Sequence, residues 1–145
     1  MNNHAHFLIF SEKVEYLSKF MQRVNTSYSQ YYNKIHKRVG YVFRDRYYSQ
    51  DILNEKHLYS CIKYIHNNPV KANLCMLMKE YKYSSYNEYL KEKRIINDES
   101  IELLFGKRRD YKKEFNFIHD IEYGDEYTFE DIKDKEMKDL IKENE

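Results

Sequence analysis

The chain has no tryptophan, one proline, three glycines and two cysteines. So few breakers mean few tight turns and long helices. Two cysteines, Cys61 and Cys75, cannot make a zinc knuckle or a disulfide framework. Both fall inside apolar stretches, which reads as buried free thiols in a reducing cytoplasm. No apolar run approaches the roughly 20 residues that span a bilayer. The opening residues MNNHAHFLIF lack the basic start and cleavage site of a signal peptide. A cytoplasmic protein with no membrane partner is therefore expected.

What the chain does have is tyrosine, 16 residues of it beside 8 phenylalanines in 145 residues. That aromatic load excludes a disordered chain, and the length fits one domain with a real core. The net charge of +1 is an average. Residues 1–90 hold 13 Lys+Arg against 7 Asp+Glu and 13 of the tyrosines, whereas residues 91–145 hold 12 against 17. A basic, tyrosine-rich body of 1–90 followed by an acidic helical segment of 91–145 points to a polyanion partner for the body. A solvated surface of mixed charge is the plainer reading.

Hydrophobic spacing sets the expected elements. Residues 4–10 form an apolar run that reads as a covered strand, with His4, His6, Leu8 and Phe10 on one face. Val14, Leu17, Phe20, Met21, Val24, Tyr28, Tyr31 and Ile35 recur at three- and four-residue steps, predicting a helix over about 13–36 that Ser11 can cap. The run YVFRDRYYS at 41–49 reads as one or two short strands. A second helix starts at Asp51 or Asn54 and stops before Pro69, because the residue preceding proline is pushed out of helical conformation. A loop with a short helical turn follows over 70–83, and a weak helix near residue 90. Three more helices are expected: one ending at Gly106, one over about 109–119, and a last one from Thr128. Together they define an α+β class, an antiparallel sheet with packed helices and a helical tail.

Two motifs carry chemistry. In His4-Ala5-His6, a strand would place both imidazoles on one side with Cα atoms roughly 6.5–7 Å apart, close enough to share a divalent cation. Taken alone, an incidental histidine pair is the commoner meaning. In CIKYIHNNPVKAN, Tyr64 lies on the flank of its helix and Asn68 follows one turn later. A packing tyrosine with its hydroxyl at the surface is the plainer reading there. His57 and His66 are alternative ligands, and Tyr47, Tyr48 and Tyr59 are rival nucleophiles.

The ordered combination is more specific. HAHFLIF, then GYVFRDRYYSQDI, YIHNNPVKANL and YKYSSYNEYL, resembles the single-tyrosine HUH transposases, in particular the REP-associated tyrosine transposase-like branch. The resemblance covers roughly residues 1–90. It implies a ferredoxin/RRM-like palm, with a strand and helix that family members carry ahead of the HUH strand missing here. It implies His4, His6 and Asn68 as ligands of a Mg²⁺ or Mn²⁺ ion and Tyr64 as the nucleophile. The implied activity is cleavage and rejoining of single-stranded or hairpin DNA through a 5′-phosphotyrosine bond, by a homodimer near the nucleoid. A phenol has a pKa near 10, so it attacks poorly at neutral pH without a cation on the phosphate. Lys34, Lys37, Arg38, Arg44, Arg46, Lys63 and Lys71 are candidates for phosphate contacts. Tyr47 and Tyr48, with Tyr31 and Tyr32, are candidates for stacking on unpaired bases. The competing expectations are a non-catalytic DNA-binding remnant and, further off, a structural or metal-storing protein.

Overall fold

The computed structural model describes residues 4–90, 96, 98–106 and 111–121. Among them are five α-helices: α1 (Val14–Ile35), α2 (Glu55–Lys71), α3 (Tyr86–Leu90), α4 (Asp98–Phe105) and α5 (Tyr111–Asp120). A single 3-10 turn, Met78–Glu80, precedes α3. The α+β class expected from the sequence is overturned, because no strand occurs among the described residues. An extended segment becomes a strand only when a neighbour takes up its N–H and C=O groups. Residues 4–10 and 41–49 have no such ladder, so their apolar patterning yields extended or irregular chain instead. The helix expected from Thr128 lies outside the described residues, as does the start of the one expected at Arg109.

The chain divides into two compact units, Leu8–Asp51 and Met1–Phe7 together with Ile52–Glu145. In the first, the periodicity of α1 produces a helix of 22 residues. Ser11 does not cap it; its hydroxyl donates to the Lys13 carbonyl at 2.8 Å. Rings one turn apart pack along α1, Tyr28 on Tyr32 at 5.9 Å and Tyr32 on His36 at 4.2 Å. Phe43 closes back on Tyr28 at 5.8 Å. Gly40 turns the chain there with φ +102°, a conformation that L side chains rarely adopt.

The second unit holds most of the buried side chains. Asn54 caps α2 by accepting from the His57 N–H at 2.8 Å. The helix does not stop before Pro69 but continues to Lys71. Proline lacks an N–H, so only the bond to the Ile65 carbonyl is forfeited. The end of the helix is closed by the N–H groups of Ala72 and Leu74, donating to Asn68 and Pro69 at 2.9 Å each. From α2, Cys61 and Ile62 pack into a core with Tyr89, Ile101, Phe105, Phe115 and Ile118. Burial pushes the Cys61 thiol up to about 11, so it stays protonated, whereas Cys75 is only half-buried.

Phe115 is fully buried and stacks on Tyr89 at 4.7 Å. Phe115→Ala is expected to cost about 3–5 kcal/mol of stability, the transfer of one ring plus the cavity it leaves. Urea unfolding followed by circular dichroism measures this, and a loss under about 1 kcal/mol would place the core elsewhere.

Candidate functional site

One flank of α2 meets the extended segment that carries the two histidines. The His4 and His6 rings stand perpendicular with centroids 4.9 Å apart. The His6 ring meets the Tyr64 ring edge-on at 5.4 Å. His6 Nε2 lies 2.9 Å from Asn68 Nδ2, joining residues 62 apart in sequence. Tyr64 is 7% exposed and Asn68 5%, while His6 is half-buried and His4 exposed. Because α2 runs through Pro69, Lys71 also reaches this flank, with Nζ 5.9 Å from the Tyr64 ring centroid. Tyr64, Asn68 and Lys71 are spaced i, i+4, i+7, one face of an α-helix.

His6 Nε2 accepts a hydrogen bond from Asn68 Nδ2 at 2.9 Å. A divalent cation here would meet two imidazoles and one amide, a set with a single possible oxygen where hard cations prefer oxygen. A half-turn of the amide presents Oδ1 in place of the donor nitrogen. Neutral imidazoles and an amide bring no charge, so they hold Mg²⁺ or Mn²⁺ weakly unless a phosphate shares it. Among the described residues no cluster of three or more His, Cys, Asp or Glu could hold a metal ion.

The remaining candidates are distributed as follows. Lys63 donates to the Ile121 carbonyl, tying α2 to the chain beyond α5. Lys34, Lys37, Arg38, Arg44, Arg46, Tyr47 and Tyr48 all belong to the Leu8–Asp51 unit. There Tyr47 Oη lies 3.1 Å from Ser18 Oγ, and Arg38 lies over the Tyr32 ring at 5.6 Å. The rival nucleophile Tyr59 donates to Glu55 Oε1 at 2.6 Å.

His66 is not available as a ligand. His119 Nδ1–H donates to the Phe115 carbonyl at 2.7 Å, so His119 Nε2 must accept. It accepts from His66 Nδ1–H at 2.9 Å, and His66 Nε2 in turn accepts from the Ser85 hydroxyl at 2.9 Å. Tyr86, Tyr89 and Phe115 ring the imidazole at 5.5, 5.7 and 5.7 Å. Desolvation, with His119 beside it, lowers the His66 pKa to about 3, and desolvation lowers that of His119 as well. This relay fixes α2, and with it Tyr64 and Asn68, against α3 and α5. Its members lie 19 and 53 residues from His66, beyond the reach of any local pattern.

No family model, curated protein or solved structure matches the chain. Among the described residues no helix is long and apolar enough to cross a membrane.

Proposed function

We propose that the chain cleaves and rejoins single-stranded or hairpin DNA, in the manner of a single-tyrosine HUH transposase, with Tyr64 as the nucleophile. The observation that carries this reading is the meeting of His4, His6, Tyr64 and Asn68, drawn from two segments some 60 residues apart. The resemblance of the four sequence blocks, two of which contain these residues, also supports it. His4, His6 and the turned Asn68 amide would hold Mg²⁺ or Mn²⁺, which when bound supplies Lewis-acid neutralisation of phosphate charge.

The chain's own groups do the rest. The His6 ring and the Lys71 ammonium flank the Tyr64 ring and set its orientation. Lys71 also puts a positive charge beside the nucleophile, where a phosphate must arrive. Tyr64 Oη forms the bond to phosphorus while the bond from phosphorus to the 3′-oxygen breaks. The phenolic proton passes to water, and the departing 3′-oxygen takes a proton from water and leaves as the 3′-hydroxyl. Reversal rejoins the strand without ATP, because the phosphotyrosine ester conserves the bond energy. Such a reaction belongs where bacterial DNA is, in the cytoplasm at the nucleoid.

The test is to incubate the chain with a labelled hairpin oligonucleotide and Mg²⁺ or Mn²⁺. A denaturation-stable protein–DNA adduct is expected, lost when EDTA is added beforehand. Salt-sensitive binding with no adduct under either metal overturns catalysis and selects a second reading, a non-catalytic DNA-binding protein. The unladdered state of the segment bearing both histidines favours that alternative.

A further inference from the structure

The Leu8–Asp51 unit carries a feature that the Tyr64 chemistry does not use. Asn25, Thr26, Ser29, Gln30 and Asn33 form one uncharged stripe along α1, every member able to hydrogen-bond. Opposite them the chain at residues 40–43 makes the other wall of an open groove of about 320 Å³. That volume is at the lower end of ligand sites, which run about 300–1,000 Å³. The wall is held in place: Asn33 Nδ2 donates to the Gly40 carbonyl at 2.9 Å, and Phe43 packs on Tyr28. Its rim is aromatic, for Tyr41 is 92% exposed and Phe43 partly so.

The sequence that builds the groove is basic, with Asp45 two residues past its far wall. Between Glu15 and Asp45 no acidic residue occurs, while Lys19, Arg23, Lys34, Lys37, Arg38 and Arg44 all fall in that span. Lys34, Lys37 and Arg38 cluster where α1 ends, beside the groove. Amide and hydroxyl groups on one wall, an exposed ring on the other and cations at the end match the needs of an unpaired nucleotide. Such a nucleotide offers a hydrogen-bonding edge, a flat face and a phosphate.

We propose that this groove is a binding site for a nucleobase of a single strand, stacked on Tyr41, with its edge read by the α1 stripe. It shares the nucleic-acid partner of the reading above but not the Tyr64 chemistry. DNA and RNA offer the same base and phosphate, so the test uses both sugars.

The full chain is titrated with single-stranded DNA and RNA oligonucleotides of one sequence carrying a central 2-aminopurine, and with the matching duplex. The fluorescence of the single strands is expected to be quenched by stacking, and the duplex to bind more weakly. Tyr41→Ala, a substitution at an exposed side chain, is expected to abolish the quench and weaken binding about tenfold. Gln30→Ala is expected to weaken it a few-fold. Lys37→Gln is expected to reduce the slope of log affinity against log salt by about 0.7. Preference between the two oligonucleotides assigns the sugar. Binding by Tyr41→Ala within twofold of wild type, an unchanged quench, or a duplex bound as tightly as the single strand overturns the proposal. Tyr64→Phe separates the two ideas: adduct loss with intact quench concerns Tyr64 alone, and quench loss with an intact adduct at saturating DNA concerns the groove alone.

Discussion

Tyr64→Phe is expected to lower the covalent protein–DNA adduct below detection while changing oligonucleotide affinity by no more than about twofold. The substitution removes one oxygen and keeps the ring, so the edge-on contact with His6 and the cation over the ring both survive. The only loss is the atom that would bond to phosphorus. Stability should change by no more than about 1.5 kcal/mol, the usual limit for a swap that keeps a side chain's volume and packing. Denaturing electrophoresis of labelled oligonucleotide against wild-type and variant chains reads the adduct, and anisotropy reads the binding. An adduct that survives moves the nucleophile to Tyr59, Tyr47 or Tyr48. Loss of binding along with the adduct would show that the hydroxyl holds DNA and does not attack it.

The second large effect is expected from acid. His66 titrates near 6.5 when unfolded and near 3 when folded, because its imidazole is desolvated beside His119. The His119 pKa is lowered in the folded state as well. Between those values the unfolded chain binds protons that the folded chain refuses. Stability is therefore full above pH 6.5 and falls as the pH drops from 6.5 toward 3. For His66 alone the loss is about 1–2 kcal/mol by pH 5, at 1.36 kcal/mol per unit. Protonating His119 at Nε2 would also set two N–H groups against each other, since His66 Nδ1–H already points there. Urea midpoints at pH 7.5, 6.0 and 5.0 should decrease in that order, with His66→Gln showing a shallower slope. Midpoints that do not move across that range would mean that His66 is protonated in the folded chain.

Local pattern carried much of the helical part. The three- and four-residue recurrence from Val14 to Ile35 specifies α1 with little help from the rest of the chain. Asn54 announces α2 because an amide before a helix can take an orphan N–H. The lack of a ladder at residues 4–10 and 41–49 was not legible in the same way. Residues 4–10 read as extended, but whether an extended run acquires a ladder depends on a partner elsewhere, and periodicity does not record partners. Pro69 misled for a related reason. The rule against proline counts one lost hydrogen bond and a clash, and says nothing of the burial of Pro69 in the folded chain. Among site residues, Tyr64, Asn68 and the two histidines were singled out by the resemblance of their sequence blocks, since residue type and spacing alone favoured plainer readings. The relay through Ser85 and His119, and the groove beside Tyr41, were not. The first is assembled from distant residues, and the second is built of amides and hydroxyls, which draw no attention singly.

The passage of α2 through Pro69 has a consequence for how this region can vary. Tyr64, Asn68 and Lys71 share a flank only because the residues between them are a whole number of near-turns. One inserted or deleted residue in that interval would rotate whatever follows by about 100°. Asn68 would swing away from His6, and the core face of the helix would be turned with it. The stretch from Tyr64 to Lys71 therefore cannot change in length even where its side chains are replaceable, whereas the chain just beyond Leu74, past the hydrogen bonds that close the helix, can be lengthened without rotating Tyr64, Asn68 or Lys71.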